Sequence, residues 1–138
     1  MNCGTVLYDP NFQFTNGKTI DKLLIVLCEA GTDHYVLTTT SQPHSKRKQP
    51  GCLSDDHPPS FYISKGTCWF NLDTWVELQE VNEIQAEILE QKRKDRGFQE
   101  HKDVLPAHLI RDILDCALNS DYIDEYYKEF LRRERSQL

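Results

Sequence analysis

The chain changes texture once, near residue 76, and that change constrains its fold more than any other feature. Before it, short apolar runs are broken by Gly, Pro and Asn; after it, Gly and Pro nearly vanish and apolar residues recur at helical spacing. At 138 residues there is about one domain's worth of chain. The reading is α+β: a β-rich module over residues 1–77, then a helical extension over 78–138 packed on or beside it. Charge follows the same boundary. Residues 1–76 carry 6 basic and 7 acidic side chains, whereas residues 77–138 carry 10 and 15, for a formal net charge of −6.

In the first module, Thr5-Val6-Leu7-Tyr8 is β-prone and ends at Asp9-Pro10-Asn11. Phe12 and Phe14 alternate around Gln13, and Asn16-Gly17 is the pair that a type I′ hairpin turn requires. The run 23–28, Leu-Leu-Ile-Val-Leu-Cys, is apolar on both faces and predicts a central strand. Ala30-Gly31-Thr32-Asp33 turns the chain, and residues 34–40 return it. Residues 42–59 hold four prolines, one glycine and the cations Lys46, Arg47 and Lys48, which predicts a long, exposed and mobile loop. Phe61-Tyr62-Ile63, Trp69-Phe70 and Trp75-Val76-Glu77-Leu78 supply the remaining strand segments. Five or six short strands in about 75 residues point to a small, strongly bent antiparallel sheet or barrel.

Beyond the boundary three apolar stripes predict three helices over residues 78–131. The first uses Leu78, Val81, Ile84, Ile88 and Leu89 and closes near Gly97. A second runs through Leu105, Leu109, Ile110, Ile113, Leu114 and Ala117, with Pro106 tolerated in its first turn. Asn119-Ser120-Asp121 reads as a stop followed by an N-cap, and Ile123, Tyr126, Tyr127, Phe130 and Leu131 form the third.

Several function classes are unsupported. No apolar run reaches the roughly 18–20 residues of a membrane span, and residues 1–5 carry no secretory signal pattern, so a cytoplasmic protein without membrane contact is expected. Cys3, Cys28, Cys52, Cys68 and Cys116 are odd in number and widely spaced, which predicts buried free thiols instead of a disulfide framework or a zinc site. Walker, GxSxG and Rossmann glycine patterns are missing, and neither metal nor cofactor is expected.

What remains is a polar concentration: Thr38-Thr39-Thr40-Ser41 at the end of one strand, then His44 and the cations at 46–48. His34, His44 and His57 are candidate acids or bases, because a free imidazole titrates near neutral pH, and His44 lies nearest this cluster in sequence. Threonines also favour strands and a basic loop is often only solvated.

Order and residue type together carry a resemblance. Gly4-Thr5-Val6-Leu7, Lys22-Leu23-Leu24-Ile25-Val26-Leu27, Leu37-Thr38-Thr39-Thr40-Ser41, Gly51-Cys52 and Asp73-Thr74-Trp75-Val76 make residues 1–80 resemble the PemK/MazF family of toxin ribonucleases. The resemblance implies a small, bent SH3-like antiparallel barrel followed here by a three-helix extension. It also implies metal-independent cleavage of single-stranded RNA, inhibition by an antitoxin segment and a homodimer. Catalytic residues would be Lys22, Thr40, Ser41, His44 and Asp73, with Lys46, Arg47 and Lys48 holding RNA. Lys22 stands where the family typically has an arginine, and so offers a point charge without a bidentate fork.

A second reading belongs to another class: a catalytically inactive module of the same fold, acting through protein–protein contact. Lys22 and the acidic extension favour it, since net negative charge opposes non-specific nucleic-acid binding. A transcription-associated adaptor is a third, resting on little beyond the basic loop.

Overall fold

The computed structural model describes residues 3–13, 16–41, 46–68, 70–94, 99–100 and 104–138. Two hairpins build the middle of its sheet. β1 (Val6–Gln13) pairs antiparallel with β2 (Thr19–Ala30), and β2 with β3 (Asp33–Thr40). In the first turn Gly17 adopts φ +84°, a region that favours glycine, and Asn16 Oδ1 accepts the Lys18 N–H at 3.0 Å. Flanked on both sides, β2 buries Leu24, Ile25, Val26, Leu27 and Cys28, as a run apolar on both faces requires.

The sheet continues through β4 (Gly51–Leu53), β5 (Ser60–Ile63) and β6 (Thr74–Glu77). Its order is β4-β5-β6-β3-β2-β1-β8, where β8 is Gln99–Glu100. β3 changes partner along its length: Thr39 and Thr40 face β6, while Asp33 to Val36 face β7 (Asn82–Gln85). The sheet is antiparallel with eight strands and is open, with β4 and β8 at its two ends. Of the barrel expectation only the antiparallel sheet holds, because no pairing joins these ends among the described residues.

Alternation divides the core into two faces. Val6, Ile25, Leu37, Phe61, Ile63 and Val76 pack beneath α2 (Ala107–Leu118) and α3 (Glu125–Ser136), meeting Leu109, Ile113, Leu114 and Leu131. On the other face Leu7, Leu24, Val26 and Val36 receive Leu89 of α1 (Ala86–Lys94). A bulge between Val26 and Cys28 moves Cys28 to the helix-covered side.

Four expectations are corrected. The first helix starts at Ala86, not near Leu78, because the N-terminal half of β3 has a free edge that residues 82–85 pair with as β7. Residues 51–53 form β4 inside the stretch read as loop, and Pro59 is buried, since β5 supplies Gly51, Cys52 and Leu53 with partners. The third helix takes Asp124 as its N-cap, beyond the Asn119-Ser120-Asp121 segment expected to supply it. Ser120 causes this: its hydroxyl donates to the Leu78 carbonyl at 2.8 Å and accepts the Tyr122 N–H at 3.2 Å, pinning the turn before the helix begins. Finally, Cys52 and Cys116 form a disulfide between β4 and α2, leaving Cys3, Cys28 and Cys68 as free thiols. Cys52 and Cys116 stand 64 residues apart, a separation that no local pattern reveals. The helix end expected near Gly97 lies outside the described residues.

Candidate functional site

The ends of β2 and β3 and the segment leading into β6 enclose a groove of about 460 Å³. Its polar lining is Asp21, Lys22, Thr39, Thr40, Ser41, Asn71 and Thr74; Tyr8, Leu23 and Phe70 add apolar surface, with Ile20 and Leu72 exposed beside them. Lys22, Thr40 and Ser41, which lie far apart in sequence, are thus brought together.

Lys22 is 11% exposed. Its ammonium donates to the Thr39 carbonyl at 2.9 Å and to Glu77 Oε1 at 3.2 Å. The same Glu77 oxygen accepts the Thr38 hydroxyl at 3.1 Å, and the Thr39 hydroxyl donates to the Leu23 carbonyl at 3.0 Å. A half-buried ammonium–carboxylate pair with hydroxyl support results, held in place by backbone as well as side chains. At the other side Tyr8 donates its hydroxyl to Asp21 Oδ2 at 3.4 Å. Desolvation and the adjacent carboxylate raise the Tyr8 pKa, so this hydroxyl stays a donor at neutral pH.

Asp73 lies between two groove residues, Leu72 and Thr74, but is occupied elsewhere. It accepts the Lys65 N–H at 2.9 Å and the Tyr62 hydroxyl at 2.8 Å, and pairs with Lys48 at 3.2 Å. The backbone donor first, then Tyr62 and Lys48, hold its carboxyl below the usual carboxylate range. These contacts give it a part in fastening the segment before β6.

Of the three cations expected to hold RNA, Arg47 and Lys48 are exposed and each pairs with a carboxylate of the chain, while Lys46 is partly buried. Arg47 Nη2 and Nε meet Asp56 Oδ1 at 2.9 and 3.0 Å, and the Arg47 carbonyl accepts Trp75 Nε1–H at 2.9 Å. Lys48 is paired with Asp73 as above. Lys46 buries its Nζ with no hydrogen-bond partner among the described residues, and burial lowers its pKa. His44 lies outside the described residues. His34 contacts Glu29 at 3.2 Å and His57 contacts Tyr122 at 3.3 Å, neither within the groove lining.

Sequence reasoning missed Glu77, Tyr8, Asp21 and Asn71. One signal for Glu77 was present: it is two residues from Trp75 on a strand, so alternation puts it on the face of a buried indole, where a carboxylate needs partners. Cys3 and Cys28 are poor nucleophiles, since burial pushes both thiols up to about 12. Among the described residues no three His, Cys, Asp or Glu side chains gather as a metal-ligand set, and no helix is long and apolar enough to cross a membrane.

The fold and groove define the class: an α+β chain with an open antiparallel sheet whose strand ends carry a hydroxyl-rich cleft. No protein-family model, no curated protein and no solved structure matches the chain.

Proposed function

We propose that the chain is an endoribonuclease of the PemK/MazF type that cleaves single-stranded RNA in this groove without a metal ion. One observation carries the reading: Lys22, Thr40 and Ser41 converge on one cleft although 17 residues or more separate the lysine from either hydroxyl. In the proposed step a base takes the 2′-OH proton and the oxygen attacks the neighbouring phosphorus. The P–O5′ bond breaks and the leaving oxygen is protonated, giving a 2′,3′-cyclic phosphate and a 5′-hydroxyl. Lys22 supplies positive charge toward the phosphorane, and the Thr40 and Ser41 hydroxyls supply donors. Glu77 orients Lys22. His44, three residues after Ser41 in the chain, is the base that this reading assigns. An SH3-like relationship, a homodimer, a cytoplasmic site of action and an inhibitory antitoxin belong to the same proposal.

The test is incubation of the purified chain with single-stranded RNA in excess chelator, with fragment ends analysed. Fragments ending in 2′,3′-cyclic phosphate are expected; intact RNA at stoichiometric protein would overturn the reading.

A second reading, a non-catalytic module that binds a protein segment, is favoured by a different observation. Lys22, Arg47 and Lys48 all contact internal carboxylates, and exposed Ile20 and Leu72 flank the groove. It predicts that RNA is neither bound nor cut.

A further inference from the structure

The groove is electrostatically divided. Lys22, Thr40 and Ser41 are the parts suited to a phosphate, whereas Asp21 presents an exposed carboxylate within the same lining. A phosphodiester cannot settle against that carboxylate, because like charges at contact distance repel. Within a bound RNA chain the part facing Asp21 must therefore be a base or a sugar. An ionised carboxylate only accepts hydrogen bonds, through two oxygens side by side. Here the Tyr8 hydroxyl donates to Oδ2 at 3.4 Å, and both residues line the cleft.

Among the four bases only guanine offers two adjacent donors, N1–H and the N2 amino group, on one edge. Adenine and cytosine each place an acceptor beside their amino group, and uracil has a single N–H between two carbonyls. The apolar side chains of Leu23, Phe70 and Leu72 give a planar base a water-poor surface, and about 460 Å³ is a suitable volume for one nucleoside.

We propose that the groove selects guanine: Asp21 accepts N1–H and N2–H from the base, while the adjoining phosphate faces Lys22, Thr40 and Ser41. The inference rests on the RNA reading above and adds its specificity-determining residue. Asp21 does no chemistry. It decides which nucleotide is presented to the groups that do.

The experiment uses the full chain and fluorescent 2′-O-methyl hexamers, which lack the attacking hydroxyl and cannot be cut by the proposed step. One probe is all uracil; three others carry a single central guanine, adenine or cytosine. The guanine hexamer is expected to bind about tenfold or more tighter than the others, the discrimination a good bidentate base contact provides. Asp21→Asn, which replaces one acceptor oxygen by a donor, is expected to bring the four affinities within about threefold. Its folding is checked by circular dichroism, and the wild-type series decides the matter even if the variant fails that check. Hexamers bound without base preference would overturn the guanine inference and leave the RNA reading standing. If none binds, the RNA reading itself falls and the guanine inference with it.

Discussion

Lys22 shares its ammonium between the Thr39 carbonyl and the Glu77 carboxylate, so any effect of changing it divides into a structural and a chemical part. Removing the cation leaves Glu77 half-buried without its charge partner, a loss of about 1–3 kcal/mol in stability. On the ribonuclease reading proposed above, losing a positive charge aimed at the phosphorane lowers cleavage on the order of a hundredfold, or about 2.7 kcal/mol. Lys22→Ala is therefore expected to show both effects. Lys22→Arg should keep the fold and preserve or raise the rate, since guanidinium can grip carboxylate or phosphate with two donors. Single-turnover cleavage at a temperature where each variant is fully folded separates the two parts. Equal rates for wild type and Lys22→Ala would remove Lys22 from the chemistry. At this scale the chain was half legible. The order of residues pointed to Lys22, Thr40 and Ser41, but their carboxylate neighbours were hidden. Glu77 is 55 positions from Lys22, and nothing in a linear pattern pairs them.

Among the elements, those read most fully from sequence satisfy their own periodicity and need little from elsewhere. β2 is apolar on both faces, the hairpin turns place Gly17 and Gly31 at positive φ, and α2 buries Leu109, Ile110, Ile113, Leu114 and Ala117 along one stripe. Four-residue β7 was misread because Val81, Ile84 and Ile88 also fit a helical stripe, and only the unpaired edge of β3 decides in favour of a strand. Gly4 shows how an element can be positioned by one residue. It adopts φ +85°, donates its N–H to the Val26 carbonyl at 2.7 Å and accepts the Leu105 N–H at 3.1 Å. A methyl group there would overlap the Ile110 side chain, so the missing side chain is what lets α2 come this close to the segment before β1. Gly4→Ala is expected to destabilise the protein by about 2–4 kcal/mol, combining a left-handed backbone with overpacking against α2. Urea unfolding measures this, and a loss below about 0.5 kcal/mol would show that α2 shifts freely.

For the molecule as a whole, the question is what keeps the helices on an open sheet. Burial is one part: α2 and α3 share a core with β2, β3, β5 and β6, and full burial of a leucine or isoleucine is worth about 1.5–3 kcal/mol. The other is the Cys52–Cys116 bond, which ties α2 to β4, a three-residue strand at the end of the sheet with a single neighbouring strand. That strand follows residues 46–49, where Arg47 meets Asp56 and its carbonyl holds Trp75. Closing a loop of 64 residues removes enough freedom from the unfolded chain to stabilise the folded one by about 4 kcal/mol. A dithiol reductant, or Cys52→Ser, is expected to lower unfolding stability by about 2–4 kcal/mol, and the two together should cost no more than either alone. Cys52 is exposed, which gives a reductant access. Disulfides persist in oxidising compartments and are rare in a reducing cytosol. A chain working in the cytosol would thus carry Cys52 and Cys116 as thiols, with burial alone holding α2. Thiol trapping of the protein drawn directly from its host cells distinguishes these states. A trapped disulfide would argue against the cytoplasmic site of action proposed above, while two free thiols would mean that the groove operates on the less tightly tethered form.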